Sequence, residues 1–551
     1  MSETQKSRLP WLPILGIAVI VVGGIAYYLL SRRTPTAPTD AIATAEVVPD
    51  EAWMATYIST DEQAWSQLSK FGTPEAQTAI RDSLDQFKQN AFPESSINFD
   101  EDLKPWVGNV MLAMLPGTSA SEGEGSTEPS PLLVVDIKDK AKALEFANNM
   151  KQEQGDKISE SDYQGVTITE FQGEKSPTYM ATLGTERLVL APQRQSVEQS
   201  IDTFKGEPSF ASEAEAQTLL AKGANVENPL AQVYFTDYAA VVKQMRANAP
   251  EGQMPPVTEE QLEAVQSVVM GVGVDDLGLR FRAVAQFNPQ PNQPEFKPAP
   301  GKVISQFPTE TFLLITGRGI SESWSRVVTQ AEDNPQLQQA LQQVRQPLQQ
   351  LGLDADTEVF GWMDGEFALG AIASKEGLLG QFGFGGAIIL ETSDRETAQG
   401  TLDKLGNFAQ QNPSISLGDR EVEGTSLKDW NVSTLGTILS HGWLDDDSLL
   451  IALGGPLADT MVTQPETPLN NSDSFTTITE TLPQTNQGYF YLDMNQAMDV
   501  IGSLPQSPTN QMPPETKAVL DSIRGIGVTA TMEGKEKGML EMLFALTPSE
   551  G

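Results

Sequence analysis

The chain contains no cysteine. That excludes disulfides, thiolate nucleophiles, iron–sulfur clusters and cysteine zinc sites together. It contains one histidine, His441, so a multi-histidine zinc site is excluded and a histidine-based triad is allowed at one position only. Basic residues are scarce: 36 Lys and Arg stand against 74 Asp and Glu, a net charge of −38. The first 39 residues hold four basic and one acidic residue, and setting them aside leaves 32 against 73, a charge of −41. Such a surface repels nucleic acid and anionic lipid over a Debye length of about 10 Å, so no nucleic-acid partner is expected.

Tryptophan is scarce too, 8 in 551 residues, and this scarcity makes its positions informative. Pro49, Glu51, Trp65 and Ser66 recur as Pro308, Glu310, Trp324 and Ser325, all at an offset of 259. Trp106 answers Trp362, Gly165 answers Gly424, and Asp237 answers Asp493. Gln253-Met254-Pro255-Pro256 returns as Gln511-Met512-Pro513-Pro514, and Gly271-Val272-Gly273-Val274 as Gly525-Ile526-Gly527-Val528. A period this long reads as a duplicated domain, because solenoids repeat every 20 to 50 residues. The expected plan is a tail over 1–8, a transmembrane anchor over 9–30, a Thr/Pro/Ala tether over 31–45, repeat domain 1 over 46–288, a Pro-rich linker over 289–304 and repeat domain 2 over 305–548. Each repeat is long enough to bury its own core.

Leu9–Leu30 is a run of 22 residues without a charge, which at 1.5 Å per residue spans the roughly 30 Å hydrocarbon core. Trp11 and Tyr27-Tyr28 stand at its ends, where amphipathic rings favour the headgroup level. The small-residue triplets Ala41-Ile42-Ala43 and Ala43-Thr44-Ala45 lie more than ten residues beyond it, too far for signal-peptide cleavage. An uncleaved single-pass anchor is expected, with the N-terminus cytoplasmic and the bulk in the periplasm or the thylakoid lumen. Lys6 and Arg8 before the span nearly balance Arg32-Arg33 after it, so charge alone does not orient it.

Within each repeat, period-2 and period-3.6 apolar patterns alternate. Residues 132–235 read β-α-β-β-α-β, the order of a ferredoxin-like split βαβ unit. Flanking strands, including a long one over Val269–Phe287, extend it into a mainly antiparallel sheet with helices covering one face, an α+β fold. In the second repeat Pro335 leads a Gln-rich helix of core-facing Leu and Val.

Candidate chemistry is thin. His441 reads as structural or exposed. Asp445-Asp446-Asp447 resembles a metal cluster but aligns with Gly184-Thr185-Glu186 between two strands, which marks a hairpin turn. Asp354-Ala355-Asp356-Thr357-Glu358 lacks the Gly and distal Glu of a calcium loop, having Val359 and Gly365 there. The glycine-rich run Gly380–Gly386 leads into a strand, where a phosphate cradle would lead into a helix. Its apolar content is unusual, and Leu378, Leu379, Phe382 and Phe384 form a candidate docking loop, unlike the polar counterpart Gly117–Pro131. The paired tryptophans read as core. No catalytic, cofactor-binding or metal-ligating set is assigned and no cofactor is expected.

The opening Val48-Pro49-Asp50-Glu51-Ala52-Trp53-Met54-Ala55-Thr56-Tyr57-Ile58-Ser59-Thr60, the stretch Lys104-Pro105-Trp106-Val107-Gly108 and the anchor resemble the domain-of-unknown-function family 3352, over nearly all of the chain beyond the anchor. The resemblance implies a bacterial, cyanobacterial envelope or thylakoid-lumen setting and assigns no functional residue. The reading is a membrane-anchored, extracytoplasmic, non-enzymatic binding or scaffold module with an unidentified protein partner. Two alternatives are a carrier or chaperone-like protein for an apolar ligand and a carboxylate-dependent hydrolase.

Overall fold

The structure, a computed structural model, describes residues 41–549 except 80–81, 83–98, 118–128, 155–157, 174–176, 249–258, 289–295, 333, 464, 466, 505–506, 508 and 510–511. The tail 1–8, the anchor 9–30 and most of the tether lie outside the described residues. So do most of the Gly117–Pro131 loop and the first half of the linker. Among the described residues, no helix is long and apolar enough to cross a membrane.

The chain divides into two compact units. One is Met1–Gln253 with Glu260–Gln290 and Pro548–Gly551; the other is Met254–Glu259 with Pro291–Thr547. The first unit holds β1 (Met54–Ile58), β2 (Val107–Leu115), β3 (Ser130–Ile137), β4 (Ile158–Tyr163), β5 (Val166–Phe171), β6 (Thr178–Leu183), β7 (Arg187–Ala191), β8 (Pro229–Phe235), β9 (Val265–Val274) and β10 (Gly278–Phe287). They pair in the order β4-β5-β6-β7-β3-β2-β1-β8-β9-β10, every pair antiparallel.

The second unit holds β11 (Thr311–Arg318), β12 (Glu366–Ala373), β13 (Phe384–Glu391), β14 (Ile415–Val422), β15 (Thr425–Val432), β16 (Gly436–Trp443), β17 (Ser448–Ala452), β18 (Tyr489–Asp493), β19 (Ile523–Glu533) and β20 (Lys537–Leu546). Their order is β14-β15-β16-β17-β13-β12-β11-β18-β19-β20, again antiparallel throughout. Position for position, this is the order of the first unit. The mixed helix and strand content around antiparallel sheets is α+β.

The expected ferredoxin-like core is not what forms. Four strands, β4 to β7, lie between the helices Lys140–Gln154 and Arg194–Lys205, where two were expected. A split βαβ unit also needs a parallel pair, and among the described residues the strands of each unit pair antiparallel. The long strand over Val269–Phe287 is two strands, because Asp275 folds the chain back: its Oδ1 accepts from Leu277 N and Gly278 N at 2.9 and 3.1 Å.

Helices cover both faces of the second sheet, not one. Helix Arg395–Ala409 packs Ala398 and Leu402 with Leu390 and Leu449. Leu457 of helix Gly455–Val462 reaches the bare Cα of Gly385, on the opposite face by strand alternation. The end of the expected tether is also corrected: Ala41–Ala45 is a helical turn with Ala41, Thr44 and Ala45 buried, and Thr44 Oγ1 donates to Asp136 at 2.9 Å. Likewise Val303 and Ile304, at the close of the expected linker, are buried.

The recurring sequence markers take matching structural positions. Pro49 and Pro308 each form an isolated antiparallel bridge. Trp106 and Trp362 each donate Nε1–H to the carbonyl four residues earlier, at 2.7 and 2.9 Å. Gly165 and Gly424 each turn a hairpin at φ +77° and +84°, the region where glycine carries no steric cost. Asp237 and Asp493 each cap a following helix, accepting from Ala240 N and Gln496 N. Trp65 and Trp324 differ: Trp65 donates to Ser59 O at 2.6 Å, whereas Trp324 donates to Asp356 at 2.8 Å and stacks on Phe360.

Two glycines of the second unit respond oppositely to alanine. A Cβ on Gly370 meets the ring of Phe307 at 2.3 Å, and Phe307 is fully buried. Gly370→Ala is expected to destabilise by about 1–3 kcal/mol. Gly400 sits in a helix with nothing within 4 Å of an added Cβ, so Gly400→Ala is expected to stabilise by about 0.5–1 kcal/mol. Urea denaturation of both variants checks the pair; equal effects of one sign contradict this packing.

Candidate functional site

A strand sends alternate side chains to opposite faces, and the second sheet uses this unevenly. One face carries Ala387, Gly370, Leu314, Tyr491, Gly527 and Leu543 across β13, β12, β11, β18, β19 and β20. All six are buried. Phe307 lies on Gly370, and Ile478 of helix Asp473–Thr479 lies on Gly525 and Gly527.

The other face carries Ile388, Leu369, Ile315, Phe490, Val528 and Met542, each directly opposite the next. A second row, two residues along each strand, is Gly386, Ala371, Leu313, Leu492, Ile526 and Phe544. None of these twelve residues is polar and none is buried. Leu369 keeps 43% of its surface exposed although β12 has a neighbour on each side. The first row extends over five interstrand gaps, about 24 Å, and the rows lie about 7 Å apart. Helix 395–409 packs on this face over β13 and β17 through Leu390 and Leu449, and Ile388 joins that cluster. The result is a long, narrow apolar stripe.

The predicted docking loop adjoins it. Phe384 opens β13 and shares the stripe's face by alternation with Gly386 and Ile388; its ring meets Phe312 edge-on at 6.3 Å. Leu378, Leu379 and Phe384 are half-buried, and Phe382 alone is exposed, at 44%. The loop therefore lies largely down on its unit: Gly383 comes within reach of Val500 and Ser503, and Gly377 approaches Leu453 and Gly454.

The remaining sequence candidates are structural. Asp445 Oδ1 accepts from Asp447 N and Ser448 N at 3.0 and 2.6 Å, closing the β16–β17 hairpin. Asp354 accepts from Asp356 N and Thr357 N, Asp356 pairs with Arg345 at 2.7 Å, and Glu358 with Lys404. All three carboxylates of that run are thus engaged with the chain itself, and among the described residues no group of three acidic or histidine side chains is placed to hold a metal.

His441 is buried within β16, opposite Ile451 and Lys428, with Trp430 edge-on at 6.4 Å. On the other face of the same strands Arg420 Nε meets Asp429 at 2.5 Å and also binds Asp459, while Ser440 donates to Asp429. This cluster was not singled out in the sequence, because its members are far apart along the chain.

Glu366 and Glu391 form a carboxylate pair at the adjoining ends of β12 and β13. Glu366 is 1% exposed and accepts from the backbone N–H groups of Gly301 and Lys302. Glu391 accepts from Glu366 N at 3.3 Å, and burial raises its pKa. Both are engaged in holding backbone. In the first unit Asp136, at the matching end of β3, also has a raised pKa; burial drives it up, against the Thr44 hydroxyl and Arg187.

The chain belongs to the family described as "Protein of unknown function (DUF3352)", whose model matches residues 14–546. No curated protein matches it. Among solved structures it is similar to crystal forms IV, III and I of TP0453, at 10%, 11% and 9% identity and TM-scores of 0.24, 0.24 and 0.25. These alignments cover 45%, 47% and 46% of this chain and 81%, 84% and 81% of the other.

Burial, followed by the Lys428 charge, holds His441 below the ordinary imidazole range. The folded state therefore binds fewer protons there than the unfolded chain, whose imidazole titrates near about 6.5. Stability gained from the neutral ring is present above that value and is lost as pH falls toward the depressed folded value. His441→Gln is expected to flatten this part of the curve. Melting temperatures from pH 7.5 to 5 check it; equal slopes in both proteins contradict it.

Proposed function

We propose that this protein is a membrane-anchored, extracytoplasmic binding module, not an enzyme, whose second unit holds an acyl chain along the apolar stripe. The observation that carries the reading is the pair of rows from Ile388 to Met542 and from Gly386 to Phe544, apolar throughout, with Leu369 exposed and the rest half-buried. A stripe about 24 Å long and 7 Å between rows suits a rod of apolar atoms. It has no charge to orient a polar substrate, which favours a carrier-like role over catalysis. Phe384 and the exposed Phe382 extend the apolar surface at one end, so the docking loop belongs to the same site.

The matching strand orders and the repeated markers support reading the two units as copies of one domain. The uncharged run Leu9–Leu30 supports the anchor, with the bulk in the periplasm or thylakoid lumen. The buried turn Ala41–Ala45 supports an uncleaved one. Cleavage after Ala43 or Ala45 would strip buried residues from the core of the first unit.

Two measurements test this. A neutral naphthylamine probe should fluoresce on binding the chain from residue 41 onward, be displaced by a neutral monoacylglycerol, and bind at least tenfold more weakly to Leu369→Lys. Leu369 is exposed, so the melting temperature should change little. Unchanged probe affinity sinks the acyl-chain reading, and displacement only by an apolar peptide helix favours a protein partner instead. Separately, the full chain should sediment with membranes and a chain lacking residues 1–39 should not. A soluble full-length product beginning at residue 44 or 46 overturns the anchor.

A further inference from the structure

Helix Asp473–Thr479, the start of helix Met494–Gly502 and the start of β19 enclose a cleft of about 120 Å³ lined by Ser474, Thr477, Ile478, Asp493, Asn495 and Arg524. Four of these side chains offer hydrogen-bond donors that are unused among the described residues. Arg524 is half-buried and, among the described residues, has no ion pair, hydrogen bond or ring contact. The Thr477 hydroxyl and the Asn495 amide likewise have no partner among the described residues. Ser474 Oγ accepts from the Tyr491 hydroxyl at 3.0 Å, which leaves its own proton free to point into the cleft. Asp493 is already engaged: it is 4% exposed and accepts from Gln496 N and Nε2 at 3.0 Å each. The cleft thus gathers a guanidinium, an amide and two hydroxyls around a space large enough for about four water-sized groups.

We infer that this cleft binds a small carboxylate, held by Arg524 with Asn495, Thr477 and Ser474. A guanidinium presents paired donors that match the two oxygens of a carboxylate, and the convergence of several unused donors on one concavity is the mark of a small-ligand site. The choice of a carboxylate over a phosphate follows from charge. The Asp493 carboxylate lines the same cleft, and the whole chain carries −38. A dianion meets roughly twice the repulsion of a monoanion at the same distance. The site does not depend on the acyl-chain reading, because Ile478 and Asp493 lie toward the buried face of the sheet, opposite the stripe.

Acetate is the probe, titrated into the chain from residue 41 onward and followed by the NMR signal of the Arg524 Nε–H group and by melting temperature. Sodium chloride and sodium phosphate at matched ionic strength serve as the other arms. The expected result is a saturable shift of that signal with acetate, a rise in melting temperature above the chloride control, and at least tenfold weaker binding in Arg524→Gln. Asn495→Ala, at an exposed position, should weaken acetate severalfold without lowering stability, so the test survives if Arg524→Gln folds poorly. An acetate response no larger than that of chloride, or one unchanged in both variants, overturns the site. Saturable binding of phosphate in preference to acetate overturns the carboxylate assignment.

Discussion

The second unit depends on the close approach of apolar side chains to strands that lack a Cβ. Phe307 occupies the space over Gly370, Leu457 that over Gly385, and Ile478 that over both Gly525 and Gly527. A methyl group at any of these would sit 2.2 to 2.7 Å from the packed side chain, inside contact distance. Glycine in a strand interior weakens the strand by itself, so four of them on one face must be offset by what packs on them. Phe307 at 0% and Ile478 at 1% exposure are that offset, each contributing about 1.5–3 kcal/mol of burial.

The first unit meets the same constraint with different partners. Gly271 and Gly273 of β9 face Ala224, Val226 and the backbone of Glu227, with contacts to an added Cβ between 2.1 and 3.3 Å. The repeated Gly-Val-Gly-Val and Gly-Ile-Gly-Val therefore has a mechanical meaning. The glycines admit the covering layer on one face, and Val272 and Ile526 between them are sent to the other. Because the side-chain period is two, a slip of one residue would drive Ile526 or Val272 into the covering layer, so register and layer are fixed together.

That alternation also explains what could and could not be read from the chain alone. Trp106, Trp362, Asp237, Asp493, Gly165 and Gly424 were legible as recurring markers because each does its work within a few residues of its own position; Trp324, which reaches Asp356, does not. β4 was missed because Ile158-Ser159-Glu160-Ser161-Asp162-Tyr163 has apolar residues only at its ends and no buried residue, which leaves no period-2 signal. The turn at Asp275 was missed because apolar residues flank it on both sides. The stripe was invisible for a different reason: each strand contributes one residue per row, and Ile388, Leu369, Ile315, Phe490, Val528 and Met542 are brought together only by strand order. Phe384 was flagged for its unusual loop, and it sits on the same face as the apolar rows.

Leaving that face open has an energetic consequence. The glycine-bearing face takes Phe307 and the helices 455–462 and 473–479, and helix 395–409 packs on the other over β13, β17 and Leu417 of β14. The side chains of the two rows are only partly removed from water, so each retains a fraction of the roughly 1.5–3 kcal/mol that full burial of a large apolar side chain provides. A ligand covering about ten of them would recover on the order of 10 kcal/mol or more. Association consumes about 4–15 kcal/mol in lost freedom, so the balance is at most about −6 kcal/mol, which corresponds to weak binding. Under the proposed reading such a site suits an occupant that enters and leaves, and the rows would then be kept apolar for binding as well as for stability.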